Sequence, residues 1–159
     1  MKKILFAVVM AMMSTAMFAQ KGSTYVGGQV NYGLDSDYKN FGIGAKVQYE
    51  FIDNLRGEAS FNYFFKKDYV TMWDVNVNLH YLFRLNDQFA VYPLAGVTLL
   101  GWNVDVLGES VSDSDLGYNL GGGIEYKLNE NIKLNFEGKY QSVKDWDHPV
   151  ISLGVAFAL

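Results

Sequence analysis

The chain has 159 residues, half of them apolar, with 13 basic and 17 acidic side chains and a net charge of −4. That length suits one domain, and the apolar content excludes intrinsic disorder. The acidic balance, without any Lys/Arg cluster, argues against nucleic-acid binding, and the lack of cysteine excludes disulfides and thiolate metal sites.

The N-terminus reads as an export signal. Lys2 and Lys3 precede "ILFAVVMAMM", and "STAMFAQ" supplies small residues suited to a cleavage site. Residues 1–19 are therefore expected to be a signal peptide cut after Ala19, with a cut after Ala16 as the alternative. The apolar run falls short of the roughly 20 residues a spanning helix needs, which disfavours a membrane anchor. Residues 20–159 form the expected mature domain.

From residue 23 onward, apolar and polar residues alternate, the period of a strand whose successive side chains point to opposite faces. The first predicted strand is 23–33, followed by a link over 34–40. Strands 41–52 and 55–65 are joined by the tight turn Asp53–Asn54, and a link over 66–68 leads to 69–85. In that fourth strand Thr71, Trp73, Val75, Val77, Leu79, Tyr81, Phe83 and Leu85 share one parity, and Met72, Asp74, Asn76, Asn78, His80, Leu82 and Arg84 the other. "NDQ" at 86–88 turns into a fifth strand, 89–101. It is apolar on both parities, so its facing is left open, and Pro93, which cannot donate to a ladder, marks the place for a bulge. The longest link, 102–115, precedes strand 116–128. "NEN" at 129–131, strand 132–141, a link over 142–149 and strand 150–159 complete the chain. Short Asx turns alternating with longer links describe an all-β, eight-stranded, antiparallel up-and-down meander.

The parities sort by charge. Outside the fifth strand, the apolar row carries no charged residue, whereas the opposite row holds Lys46, Glu50, Arg56, Glu58, Asp74, Arg84, Glu125, Lys127, Lys133, Glu137 and Lys139. Phe41, Phe51, Phe61, Tyr63, Phe65, Trp73, Tyr81, Phe83, Phe136 and Phe157 stand among the aromatics of the apolar row. The interior of an eight-stranded barrel is only just wide enough to be filled by side chains, so these rings cannot all point inward. The polar row, by contrast, is interleaved with Gly27, Gly33, Gly42, Gly44, Gly117, Gly121, Gly123 and Gly154, which leave room for long charged side chains. The apolar row must therefore face outward, and an outward apolar surface of this size requires lipid. Only a closed barrel carries strands through lipid with every backbone group paired. Ten residues rising about 3.3 Å each at a tilt near 45° span roughly 23 Å, close to the ~25 Å apolar band of outer-membrane barrels.

At this point the chain resembles the eight-stranded outer-membrane β-barrel family, the OmpA transmembrane domain and OmpX-like, porin-family proteins of the Bacteroidota type. The resemblance covers residues 23–159. Its most specific element is "VISLGVAFAL", in which Ile151, Leu153, Val155, Phe157 and Leu159 alternate to the C-terminus like the family's assembly signal. Leu159 stands where the family usually has an aromatic residue. The resemblance implies a monomer in the outer membrane of a Gram-negative bacterium, with its N-terminus periplasmic and its longer loops extracellular. Its implied partners are outer-membrane lipid, lipopolysaccharide and the barrel-assembly machinery.

The inward charges, near balance together with His80, predict a plugged, salt-bridged lumen, because unpaired charges buried there would be costly. The expected role is non-catalytic, structural or in surface contact. A surface ligand would meet the links 34–40, 102–115 and 142–149. The alternatives are a narrow passive pore for small solutes and, since some barrels of this family modify lipid A, an envelope enzyme built on His80 with Ser60. A soluble lipocalin-like or β-sandwich carrier is the reading of a different class. No cofactor is expected, and no metal: Asp105, Glu109, Asp113 and Asp115 lack calcium-loop spacing, and His148 reads as a solvated loop residue.

Overall fold

Hydrogen bonding closes the sheet on itself. A computed structural model describes residues 22–34, 39–144 and 146–159, so the expected signal segment 1–19 lies outside the described residues. Its strands are β1 (Thr24–Leu34), β2 (Lys39–Ile52), β3 (Leu55–Lys67), β4 (Val70–Tyr81, continuing as Phe83–Arg84), β5 (Phe89–Val106), β6 (Glu109–Lys127), β7 (Ile132–Val143) and β8 (Trp146–Ala158). Each pairs antiparallel with its neighbours in sequence, and β1 also pairs with β8 from Tyr25↔Ala158 to Gly33↔Val150. The result is an eight-stranded antiparallel barrel in which every strand is hydrogen-bonded to a neighbour on each side.

The wall divides side chains as the alternation requires. Phe41, Phe61, Val77, Leu79, Leu120, Phe136 and Leu153 are about half exposed on the outside, while Lys46, Arg56, Glu58, Asp74, His80 and Glu137 are buried within. On the outside, aromatic rings pack in pairs near strand ends: Tyr49 against Phe51, Tyr81 against Phe83 and Phe89 against Tyr126 at one end, Phe41 against Phe65 and Phe61 against Trp73 toward the other. Such girdles suit the two headgroup levels of a membrane.

The two ends turn differently. At the end where β1 begins and β8 ends, Asn86 Oδ1 accepts from the backbone N–H of Gln88 (2.8 Å) and Phe89 (2.7 Å). Asn129 Oδ1 does the same for Asn131 (2.8 Å) and Ile132 (2.9 Å). The "LNDQF" and "LNENI" stretches are thus one Asx-turn motif used twice. We call this the terminal end. At the opposite, hairpin end, Asp68–Tyr69 (φ 49° and 68°) and Leu107–Gly108 (φ 53° and 86°) are left-handed two-residue turns, the type I′ geometry that matches strand twist.

Four expectations need correction. The link 102–115 is not a loop: β5 and β6 continue through it as a hairpin with unbroken register, from Leu100↔Asp115 to Val106↔Glu109. Likewise 142–149 is mostly strand, and His148 sits on β8 opposite Gln141, only 4% exposed. Beyond lipid nothing selects apolar residues, so the alternation that marks a strand fades although its hydrogen bonding persists. Within the link 34–40, Leu34 and Lys39–Asn40 belong to strands, and 35–38 lie outside the described residues. Pro93 makes no bulge: the register is the same on both sides, His80↔Leu94 and Phe83↔Val91, and only the ladder is interrupted, at Leu82. The register shifts lie elsewhere, between Glu50 and Ile52 and between Phe64 and Lys67.

Val77 lies mid-strand on the outer face. Replacing it with Arg should cost about 2–4 kcal/mol, the range for a cation at the bilayer midplane. Val77→Leu should be nearly neutral, as read by reversible urea unfolding in lipid vesicles.

Candidate functional site

The polar row of the strands meets in the lumen, which the described residues fill in three layers. Nearest the terminal end is an ionic layer. Arg56 on β3, fully buried, pairs with Glu125 on β6 and stands 4.0 Å from Glu50 on β2. Lys133 on β7 reaches Glu50 (3.4 Å) and Glu125 (3.6 Å) and lies over the Tyr25 ring at 3.3 Å. Lys46 stands 3.8 Å from Glu58 and donates to Asn135 Oδ1 at 2.6 Å. A Cβ at Gly154 would come within 2.7 Å of the Lys46 ammonium and 2.6 Å of Asn135 Oδ1, so a larger residue there would make both side chains shift. Arg84 lies at the mouth, where it donates to the Asp53 carbonyl (2.7 Å) and to Glu50 (3.4 Å). Lys127, half-buried, occupies the same rim, and Lys139 is buried on the row of Glu137.

His80 is held within this layer. Its ring stacks on Tyr92 (centroids 4.6 Å apart), and its Nδ1 accepts from Arg56 Nε (3.3 Å) and lies 3.1 Å from Arg56 Nη2. The Tyr92 hydroxyl donates to Glu137 Oε2 at 3.0 Å. Glu58, His80 and Glu137 bring possible ligand atoms within 4.8 Å of one another. The chemistry nevertheless opposes a cation there. A guanidinium can only donate, so His80 Nδ1 must present its lone pair to Arg56 and Nε2 must carry the hydrogen. Lys46 and Arg56 add positive charge alongside. Ser60, the residue considered as a nucleophile for His80, lies opposite Asn76 and accepts its amide at 3.4 Å, while Arg56 is the residue opposite His80.

The middle layer is built of amides. Asp74, fully buried, accepts from Asn62 (2.6 Å), Asn76 (2.6 Å) and Gln141 (3.3 Å). Asn119 donates to Asn76 and Asn78, both at 2.9 Å, and Gln29 and Asn31 both donate to Asn62 Oδ1 at 2.8 Å. At the hairpin end a third layer is apolar: Phe64, Met72, Leu100 and Val143 form a buried cluster, flanked by Val70 and Trp102.

A search for inward charges finds the first layer and, in Asp74, the centre of the second, but misses the amides around it and the third layer. The amides were visible as the polar row of β4, where Asn76 and Asn78 alternate with valines. Met72 also stands on that row, its inward facing already implied. Leu100, Tyr92 and Thr98 could not be found that way, because β5 is apolar on both faces and only pairing with β4 and β6 turns its even-numbered residues inward. Of the C-terminal row, Leu153, Phe157 and Leu159 are exposed on the outside of β8, and the Leu159 N–H donates to the Thr24 carbonyl at 2.9 Å.

Removing Arg56 strands Glu125 in the lumen. Arg56→Ala should destabilise the barrel by about 3–5 kcal/mol, and adding Glu125→Ala should recover part of that loss. A double-mutant cycle by urea unfolding measures both.

Residues 4–158 match the model of the outer membrane protein beta-barrel domain. The chain is 27% identical to outer membrane protein X of Enterobacter cloacae, over 99% of each protein. Among solved structures it is similar to neisserial surface protein A (19% identity, TM-score 0.75, covering 88% of this chain and all of that one). It is also similar to Ail, the attachment invasion locus protein of Yersinia pestis (20% identity, TM-score 0.64, covering 87% and 97%).

Proposed function

The chain belongs to the outer membrane protein beta-barrel domain family, and on that footing we propose that it is an integral outer-membrane protein with a plugged lumen and a non-catalytic role, structural or in surface contact. The observation that carries this reading is the filling of the lumen from wall to wall: Arg56, Asp74, Asn76, His80, Thr98, Asn119 and Gln141 are all fully buried. An open pore would leave such groups wet. Against the lipid A-modifying alternative stand the occupied Nδ1 of His80 and the pairing of Ser60 with Asn76.

In this reading residues 1–19 are removed on export, the terminal end is periplasmic and the hairpin end extracellular. The outward row Ile151, Leu153, Val155, Phe157 and Leu159 is what the barrel-assembly machinery recognises on the strand that closes the barrel. The protein acts as a monomer among lipid and lipopolysaccharide. Surface contact falls to the β5–β6 hairpin. Leu107 at its tip is fully exposed, and β6 meets β7 only from Tyr118↔Ser142 onward, which leaves the outer part of β6 without a described partner on that side. Ail has been crystallised with the heparin analogue sucrose octasulfate. The hairpin here carries Asp105 and Asp115, paired with Lys66 (2.9 Å) and Lys144 (3.7 Å), together with Glu109 and Asp113, and this acidic excess would disfavour a polyanion.

The chain has no cysteine, so one introduced thiol reports one position. In a Leu107→Cys variant the thiol should react with a membrane-impermeant maleimide on intact cells, and in Asp87→Cys only after the outer membrane is broken. Membrane fractionation with heat-modifiability on a gel tests the barrel and its location. The reverse labelling pattern, or recovery as a soluble monomer, overturns the reading.

A further inference from the structure

We propose that the barrier to passage through this barrel is the apolar collar formed by Phe64, Met72, Leu100 and Val143, and not the ion pairs beneath it. The inference rests on the plugged lumen proposed above and identifies which part of the plug holds.

The ionic layer is rich in interchangeable partners. Glu50 alone faces Arg56, Arg84 and Lys133 within 4.0 Å, and Glu125 faces Arg56 and Lys133. One pair can open while its members keep other partners. Groups in the ionic and amide layers also retain unused hydrogen-bonding capacity: Gln48 Oε1, Asn78 Nδ2, His80 Nε2, Asn119 Oδ1, Glu125 Oε1 and Gln141 Oε1 are buried without a hydrogen-bond partner among the described residues. A water or ion entering these layers would find donors and acceptors ready to replace its hydration.

The collar offers neither. Its four members come from β3, β4, β5 and β7, and each is at most 2% exposed. A Cβ on Gly42 would lie 2.7 Å from the Phe64 ring, and one on Gly117 2.6 Å from Val143 Cγ2, so these side chains lie down over glycines of the neighbouring strands. Among the described residues the polar contact to a collar side chain is a weak one, Asn40 Nδ2 to Met72 Sδ at 3.7 Å. An ion crossing here must shed water with nothing to replace it, the condition under which a narrow apolar constriction stays dry and closed.

Purified protein in planar bilayers tests this. The parent should be silent. Met72→Gln with Leu100→Asn keeps side-chain size but makes the collar wettable, and should give discrete openings. Glu58→Gln, which alters the ionic layer alone, should stay silent. Heat-modifiability confirms that each variant is folded, and Val143→Thr or Phe64→Ala serves if the double variant fails that check. Folded collar variants that remain silent, or openings in Glu58→Gln without openings in the collar variants, overturn the collar as barrier. A conducting parent would instead remove the plugged lumen on which the inference rests.

Discussion

The closed ladder is the constraint on which everything else in this molecule depends. In hydrocarbon an unpaired N–H or C=O has no water to turn to, so a sheet that crosses lipid must join its first strand to its last. Here β1 does so with β8 from Tyr25↔Ala158 to Gly33↔Val150. Closure then leaves two surfaces of opposite curvature. The outer one accepts large rings such as Phe61 and Phe136, and the inner one fits long side chains beside glycines, as Lys46 lies beside Gly154.

The inner surface is not uniform along the barrel. Ion pairs gather toward the terminal end, amides hold the centre around Asp74, and hydrocarbon seals the hairpin end. The order has a physical logic. Charges cost least where solvent is near, and Arg84 and Glu50 at the mouth keep some of it. A buried carboxylate farther in is surrounded by three amide donors, each neutral and compact enough for a narrow space. The apolar layer needs no partners at all.

Much of this was legible in order of residue. The outward row from Phe41 to Phe157, the inward charges and the eight-strand meander all follow from a period of two. Where the period is masked, reading failed. β5 is apolar on both faces because its inward residues Tyr92, Leu94 and Leu100 build the small apolar clusters of the lumen, so periodicity carried no contrast. In 102–115 and 142–149 the strands outrun the membrane, and polar residues on both faces looked like loops although the ladder continues. His148 was misplaced for that reason.

Outside β5, the sequence by itself determined which side chains face outward and which inward, because a strand offers only two faces and the bilayer rejects charge from one of them. It also determined the Asx turns, since Asn86 and Asn129 need only their own local backbone. Tertiary structure alone decided who meets whom inside: that Arg56 finds Glu125 69 residues away and faces His80, and that Phe64, Met72, Leu100 and Val143 converge from four strands. Those contacts depend on the stagger between strands accumulated around a closed ring, and no single strand contains that quantity.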